Sequence, residues 1–141
     1  MKFFFHKDER SSEELFTRIA DACKGLIYVS EIDAPVEAYT ASRDGKNALY
    51  TILQQTGRET EDGMEEIPFA QLFERLTAIR EWHGERETAR AKKFLELQKL
   101  LEENLVQLKV YRLGNIRIDI FVVGYDHAGR LMGVMTRAVE T

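Results

Sequence analysis

VQLKVYRLGNIRIDIFVVGYDHAGRLMGVMTRAV, residues 106–139, is the stretch on which the fold turns. Val106, Leu108 and Val110 alternate with Gln107 and Lys109, and Ile116, Ile118, Ile120 and Val122 alternate with Arg117 and Asp119. A period of two sends successive side chains to opposite faces of a strand. Arg112 to Asn115 read as a turn between the first two strands, Asp126 to Gly129 as a second turn, and Leu131 to Val139 as a third strand. Phe121 and Val123 add bulk to the other face of the middle strand, so cover is expected on both faces, at least in part.

Upstream the period changes to that of helices. Phe94, Leu97, Leu101 and Leu105 recur on one face of a segment over about 86–104, with alternating charges on the other. Phe69, Leu72, Phe73, Leu76 and Ile79 form the stripe of a preceding helix, which Trp82, His83 and Gly84 interrupt. Residues 58–66, with five acidic side chains and a glycine, read as a solvated loop. Leu49, Ile52 and Leu53 mark a short helix that Gly57 closes. Val36 to Ala41 and Leu26 to Val29 read as strands joined by the acidic turn Ser30 to Ala34. Ser11 with Glu14 offers a capping box to a first helix over about 12–24, carrying Leu15, Phe16, Ile19, Ala22 and Cys23.

The order is thus α-β-β-α-α-α-β-β-β. Three final strands joined by short turns cannot belong to a regular parallel α/β sheet. The expected class is α+β, with a mostly antiparallel sheet of about five strands between two helical layers. The chain has no repeats, no low-complexity run and only two prolines, which predicts a single domain over residues 1–141.

Composition bounds the function. The chain is 141 residues long, 44% hydrophobic and 31% charged, with a formal net charge of −4. Those values suit a soluble globular domain that buries roughly two thirds of its unfolded surface. A mild acidic balance disfavours direct nucleic-acid binding, which needs clustered excess Lys and Arg, and suits a basic partner instead. Cys23 is the only cysteine, so it forms no internal disulfide and no cysteine-based zinc cluster, and reads as a small buried hydrophobe. Phe3-Phe4-Phe5 is too short for a signal peptide, and no run approaches a membrane span. The expected location is cytoplasmic, with no membrane partner.

Catalytic motifs are lacking. No G-x-S-x-G elbow, Walker A loop or G-x-G-x-x-G fingerprint occurs, and Trp82-His83-Gly84-Glu85 lacks the second histidine of a metalloprotease helix. His6, His83 and His127 show no zinc-site spacing and read as surface residues. Gly57, Gly63 and Gly124 are accounted for by a cap, a loop and a strand end or bulge. Adjacent acids such as Glu13-Glu14, Glu65-Glu66 and Glu102-Glu103 point in different directions on an element and serve to solvate it. More informative is where other groups stand: Glu31 and Asp33 after the first strand, Glu81 and Trp82 between two helices, Glu140-Thr141 at the end. Each lies where an element stops, as recognition groups commonly do. Trp82 is readable either as core or as an interface anchor. With Thr141 as the last residue, its hydroxyl joins an α-carboxylate of ordinary pKa about 3.3 to 3.7, an anionic set of hard oxygens on a strand-borne stalk.

Several stretches, in order, resemble the nuclease A inhibitor family. They are Gly25-Leu26 leading to Ser30-Glu31, Pro35 with Glu37, Leu53-Gln54-Gln55-Thr56-Gly57, and Trp82. The Ala91 to Leu101 helix follows, with Lys92 or Lys93, Phe94 and Leu100-Leu101, and then Val110-Tyr111-Arg112-Leu113-Gly114, Ile116 to Gly124, Ala128-Gly129 and Val139-Glu140-Thr141. The resemblance covers about residue 11 to the end. It implies a three-layer α/β/α sandwich similar to the pathogenesis-related type 1 fold. It also implies a non-enzymatic inhibitor that plugs the active site of a sugar-nonspecific, magnesium-dependent endonuclease.

By the same resemblance, Thr141 corresponds to a terminal threonine that ligates the nuclease's catalytic metal, and Glu31 to the glutamate that supports that bridge. Glu81 and Trp82 correspond to an acidic-tryptophan pair at the interface, and Glu140 accompanies Thr141 in the contact. Magnesium enters only through the partner; the chain is expected to hold no cofactor of its own and to be a monomer when free. The sequence departs from the family at Met1 to Arg10, which has no counterpart, in the Arg58 to Glu66 loop, and in the basic run Arg80 to Arg86 around His83. Two alternatives stand beside this reading. One is a non-catalytic interaction module of the same fold that uses the Glu31, Trp82 and Thr141 edge on another partner. The other is a small metalloenzyme built on Glu31, Asp33 or His83.

Overall fold

The computed structural model describes residues 2–41 and 47–141, with side chains from Arg10 onward. The alternating segments at the C-terminal end form the centre of a five-stranded antiparallel sheet, as the pattern predicts. Its strands are β3 (Glu37–Thr40), β4 (Met64–Ile67), β5 (Val106–Leu113), β6 (Arg117–Tyr125) and β7 (Leu131–Val139). They are ordered β3-β7-β6-β5-β4, all neighbours antiparallel. A separate hairpin pairs β1 (Ile27–Val29) with β2 (Asp33–Pro35). The class is α+β.

Three of the sequence expectations shift. The strand at Leu26 to Val29 does not enter the main sheet but pairs with residues 33–35, so the turn between them is shorter than Ser30 to Ala34. The fifth strand of the main sheet is β4, inside the acidic stretch read as a loop. Its residues are mostly exposed, which is how an edge strand rich in glutamate looks when one partner supplies the hydrogen bonds. Arg112 is in β5 rather than in a turn, because the first strand continues to Leu113 and the reversal is made by residues 114–116.

Among the described residues, four α-helices cover the sheet: α1 (Lys2–Cys23), α2 (Ala48–Thr56), α3 (Phe69–Thr77) and α4 (Glu85–Asn104). On one face Leu15 and Ile19 of α1, Phe69, Leu72 and Phe73 of α3, and Phe94, Leu97 and Leu101 of α4 pack with Val110, Ile118, Ile120 and Val134. On the other, Ala48 and Ile52 of α2 pack with Tyr39, Tyr111, Phe121 and Val123. Alternate residues of β6 therefore feed two cores, giving three layers. Gly57 closes α2 in the left-handed region at φ 70°, its N–H donating to the Leu53 carbonyl, a geometry that favours glycine. Gly124 faces the bulge where Gln107 takes φ 57°; a Cβ there would stand 2.7 Å from the Val106 carbonyl oxygen.

The expected start of the first helix is also corrected. Ser11 and Glu14 lie inside α1, and no capping box forms at residue 11. A polar S-x-x-E run is compatible with a helix interior as well as with a cap. Ser12 is fully buried and donates instead to Asp126 at 2.5 Å, tying α1 to the β6–β7 turn. Asp126 also accepts from the Ala128 and Arg130 amides, so its buried carboxylate is well satisfied. Cys23 is buried as expected, and its thiol is pushed up to about 11 by burial, with Glu37 adding to the effect. The side chains of His6 and of the Phe3-Phe4-Phe5 run lie outside the described residues. No helix among the described residues is long and apolar enough to cross a membrane.

Candidate functional site

The β1–β2 hairpin tip meets the end of β7. Ser30 Oγ accepts from the Val139 amide at 3.1 Å and from the Ile32 amide at 3.3 Å, and the Glu31 amide donates to the Val139 carbonyl. This brings Glu31 beside the residues that follow the strand. Its two carboxylate oxygens divide the work: one accepts from the Thr141 amide at 2.9 Å, the other from the Thr141 hydroxyl at 2.7 Å. The last residue is thereby held in two directions by one side chain. Charge-assisted hydrogen bonds of this kind are stronger than neutral ones, although both residues here are exposed.

Glu140 is fixed separately. Its amide donates to the Ile116 carbonyl, and both its carboxylate oxygens lie 2.7 Å from Nη2 of Arg112. Glu65, opposite Arg112 on β4, stands 3.9 Å away on the other side. Burial opposes the Arg112 charge, but the hydrogen bond and charge of Glu140 outweigh it and hold the guanidinium above its ordinary value.

Glu81 and Trp82 sit elsewhere, in the tight connection between α3 and α4. Ile79, expected on the α3 stripe, lies beyond the end of that helix and is exposed. The Arg80 amide donates to His83 Nδ1 at 3.1 Å, and the His83 amide donates back to the Arg80 carbonyl. Glu87 accepts from the Gly84 amide, the half of a capping box available when the N-cap residue has no side chain, and its own amide helps hold its carboxyl below the usual range. Trp82 protrudes from this turn with 79% of its surface exposed, which decides against a core role. Its ring stands edge-on to His83 at 5.7 Å.

Among the described residues, no hydrogen bond, ion pair or ring contact joins Trp82 to Glu31, Glu140 or Thr141. A groove of about 250 Å³, lined by Ile27, Tyr28, Val29, His83 and Arg90 among others, runs from the Trp82 turn to Arg75. Arg75 donates to the Tyr28 hydroxyl at 2.6 Å. A second depression, about 370 Å³, continues from Arg75 to Arg112 and Glu140. The structure thus brings Glu31, Glu140 and Thr141 together, while Glu81 and Trp82 lie in the connection between α3 and α4, whose His83 lines the first groove. Asp33 is on β2, exposed, and His83 is occupied in its own turn. Among the described residues, no group of three or more His, Cys, Asp or Glu is placed to hold a metal.

Sequence reasoning missed Arg112 as part of this corner by placing it in a turn. One signal was available: Arg112 shares parity with Val110, on the face that feeds the larger core, and a charge on the inward side of a strand requires a partner. No curated protein matches the chain. A family model described as nuclease A inhibitor-like protein matches residues 13–141, which leaves out only the start of α1. The chain accordingly belongs to the nuclease A inhibitor-like family.

Proposed function

We propose that the chain is a protein inhibitor that plugs the active site of a sugar-nonspecific, metal-dependent endonuclease, with Thr141 reaching the catalytic magnesium. The observation that supports this most is the two-point grip of Glu31 on Thr141. The Thr141 hydroxyl gives its hydrogen to Glu31 and keeps its lone pairs, so a hard oxygen donor is held on a rigid corner. Magnesium, supplied by the partner, takes such oxygens in near-octahedral shells and is bound through few protein ligands. Thr141 and Glu31 offer donors of the right chemistry but far too few for a shell of their own. Glu140, exposed although paired with Arg112, stands beside Thr141 in the proposed contact, and Trp82, with Glu81 before it, supplies an apolar anchor.

The reading includes a free monomer in the cytoplasm that contacts neither nucleic acid nor membrane and brings no cofactor. Titrating the purified chain into plasmid degradation by a magnesium-dependent, sugar-nonspecific endonuclease tests it. Stoichiometric loss of cleavage, abolished by deleting Thr141, is the expected result; equal inhibition by the truncated chain overturns the metal-reaching mechanism. The exposed Arg80 and Arg86 beside Trp82 favour one alternative, an interaction module of the same fold that regulates a different partner. In that case the chain leaves such nucleases active.

A further inference from the structure

We infer that Arg112 is a positioning residue for the terminal segment, gripping Glu140 so that Thr141 is delivered to Glu31 in one orientation. Residues beyond a last strand fray unless something ties them down. β7 ends at Val139, and Glu140 follows it with a single backbone bond, to Ile116. The side-chain bond to Arg112 fixes which way the backbone leaves Glu140, one residue before Thr141.

Arg112 is a costly choice for any other purpose. Its side chain is only 13% exposed, and it sits on the inward face of β5 in register with Ile120, which in turn faces Thr136 on β7. An apolar residue would fill that place without desolvating a charge. The strand does not need the guanidinium either, since β5 pairs along its backbone with β4 and β6. What the guanidinium alone provides is reach along the sheet to Glu140, whose carboxylate it meets at 2.7 Å, against 3.9 Å for Glu65. Both bonds leave one nitrogen, Nη2, so lysine could supply the charge and the donors but on a more flexible stem, and is expected to restore the hold only in part.

The orientation stands on geometry alone; its use in inhibition rests on the function proposed above. The test measures both in the full chain. Arg112→Met keeps the volume and Glu140→Ala removes the partner, while Arg112→Lys is the conservative rescue. In Arg112→Met and Glu140→Ala the backbone order parameter of Thr141 should fall from the rigid range near about 0.85 to below about 0.6. Its amide should exchange faster and the melting point should hold. Inhibition of the magnesium-dependent endonuclease should weaken about tenfold, with the double variant no worse than the singles because they break one link. Arg112→Lys should recover part of the order. Should Arg112→Met fail to fold, Glu140→Ala carries the test, since Glu140 is exposed and lies outside the strands. An unchanged Thr141 order parameter in a folded Glu140→Ala protein overturns the inference. Loosening of Thr141 without loss of inhibition upholds Arg112 and counts instead against the proposed function.

Discussion

The corner at Glu31, Glu140 and Thr141 and the turn at Trp82 are built in opposite ways. In the corner each group is held by a partner remote in the chain: Thr141 by Glu31, Glu140 by Arg112, Val139 by Ser30. In the turn the bonds are local, Arg80 with His83 and Gly84 with Glu87, and the indole stands free of the sheet. A group that must meet a metal has to be held to within a fraction of an ångström before binding, whereas an apolar anchor can settle after contact. Under the function proposed above, the contrast suits orientation at the corner and adaptable burial at the turn.

Deleting Thr141 strikes the corner hardest. Inhibition should fall about a thousandfold, a loss of about 4 kcal/mol, with thermal stability unchanged because Thr141 is exposed. Trp82→Ala should cost about 2 kcal/mol of binding, roughly thirtyfold, and nothing in stability, read by titration calorimetry and thermal melts. If the two effects exchange rank, the turn and not the corner dominates. Glu31→Gln keeps the shape but removes the charge from both bonds to Thr141, so inhibition should weaken about tenfold while the hairpin remains folded. Equal affinities for Glu31→Gln and the parent chain would break the claim that the corner is preorganised by charge.

The smallest effect belongs to the two cores, Cys23 lying in one and Tyr39 in the other. Burial raises Cys23 from 9.0 to about 11, and Tyr39 from 10.0 to about 12. Above pH 9 the unfolded chain releases the thiol proton while the folded chain keeps it, so the native state binds more protons and stability must fall as pH rises. The contribution of Cys23 is complete below pH 9 and is lost by about 11, and that of Tyr39 is lost between about 10 and 12. Urea midpoints measured from pH 8 to 11 should decline, and a Cys23→Ala chain should decline less steeply. A flat profile would show that the thiol is not desolvated.

Elements with strong internal periodicity are legible in the amino-acid order itself. The alternation of Ile118, Ile120 and Val122 and the stripe of Phe94, Leu97 and Leu101 place these residues in the core because burial selects one face of a regular element. The antiparallel strand order at the C-terminal end is legible for the same reason. Elements set by partners are not. Met64–Ile67 is a strand because β5 lies beside it, not because Glu65 and Glu66 favour one. Ser11 and Glu14 look like a helix start, yet α1 extends through them and Ser12 is taken up by Asp126. The spacing around Trp82 suits core and surface equally, and only the course of its turn separates the two.

From sequence alone came the α+β class, the helix faces, the buried Cys23 and, through resemblance, the family and the identity of Glu31, Trp82 and Thr141 as positions to watch. Only the tertiary structure decided that Glu31 and Thr141, 110 positions apart, share two hydrogen bonds. It alone showed that Arg112 and Glu140, 28 apart, meet as well, and that Trp82 is exposed on its turn with its ring against His83. Periodicity reports which way a side chain faces along its own element. Which remote side chain it then meets depends on strand register, hairpin placement and rotamer, and none of these is written in local spacing.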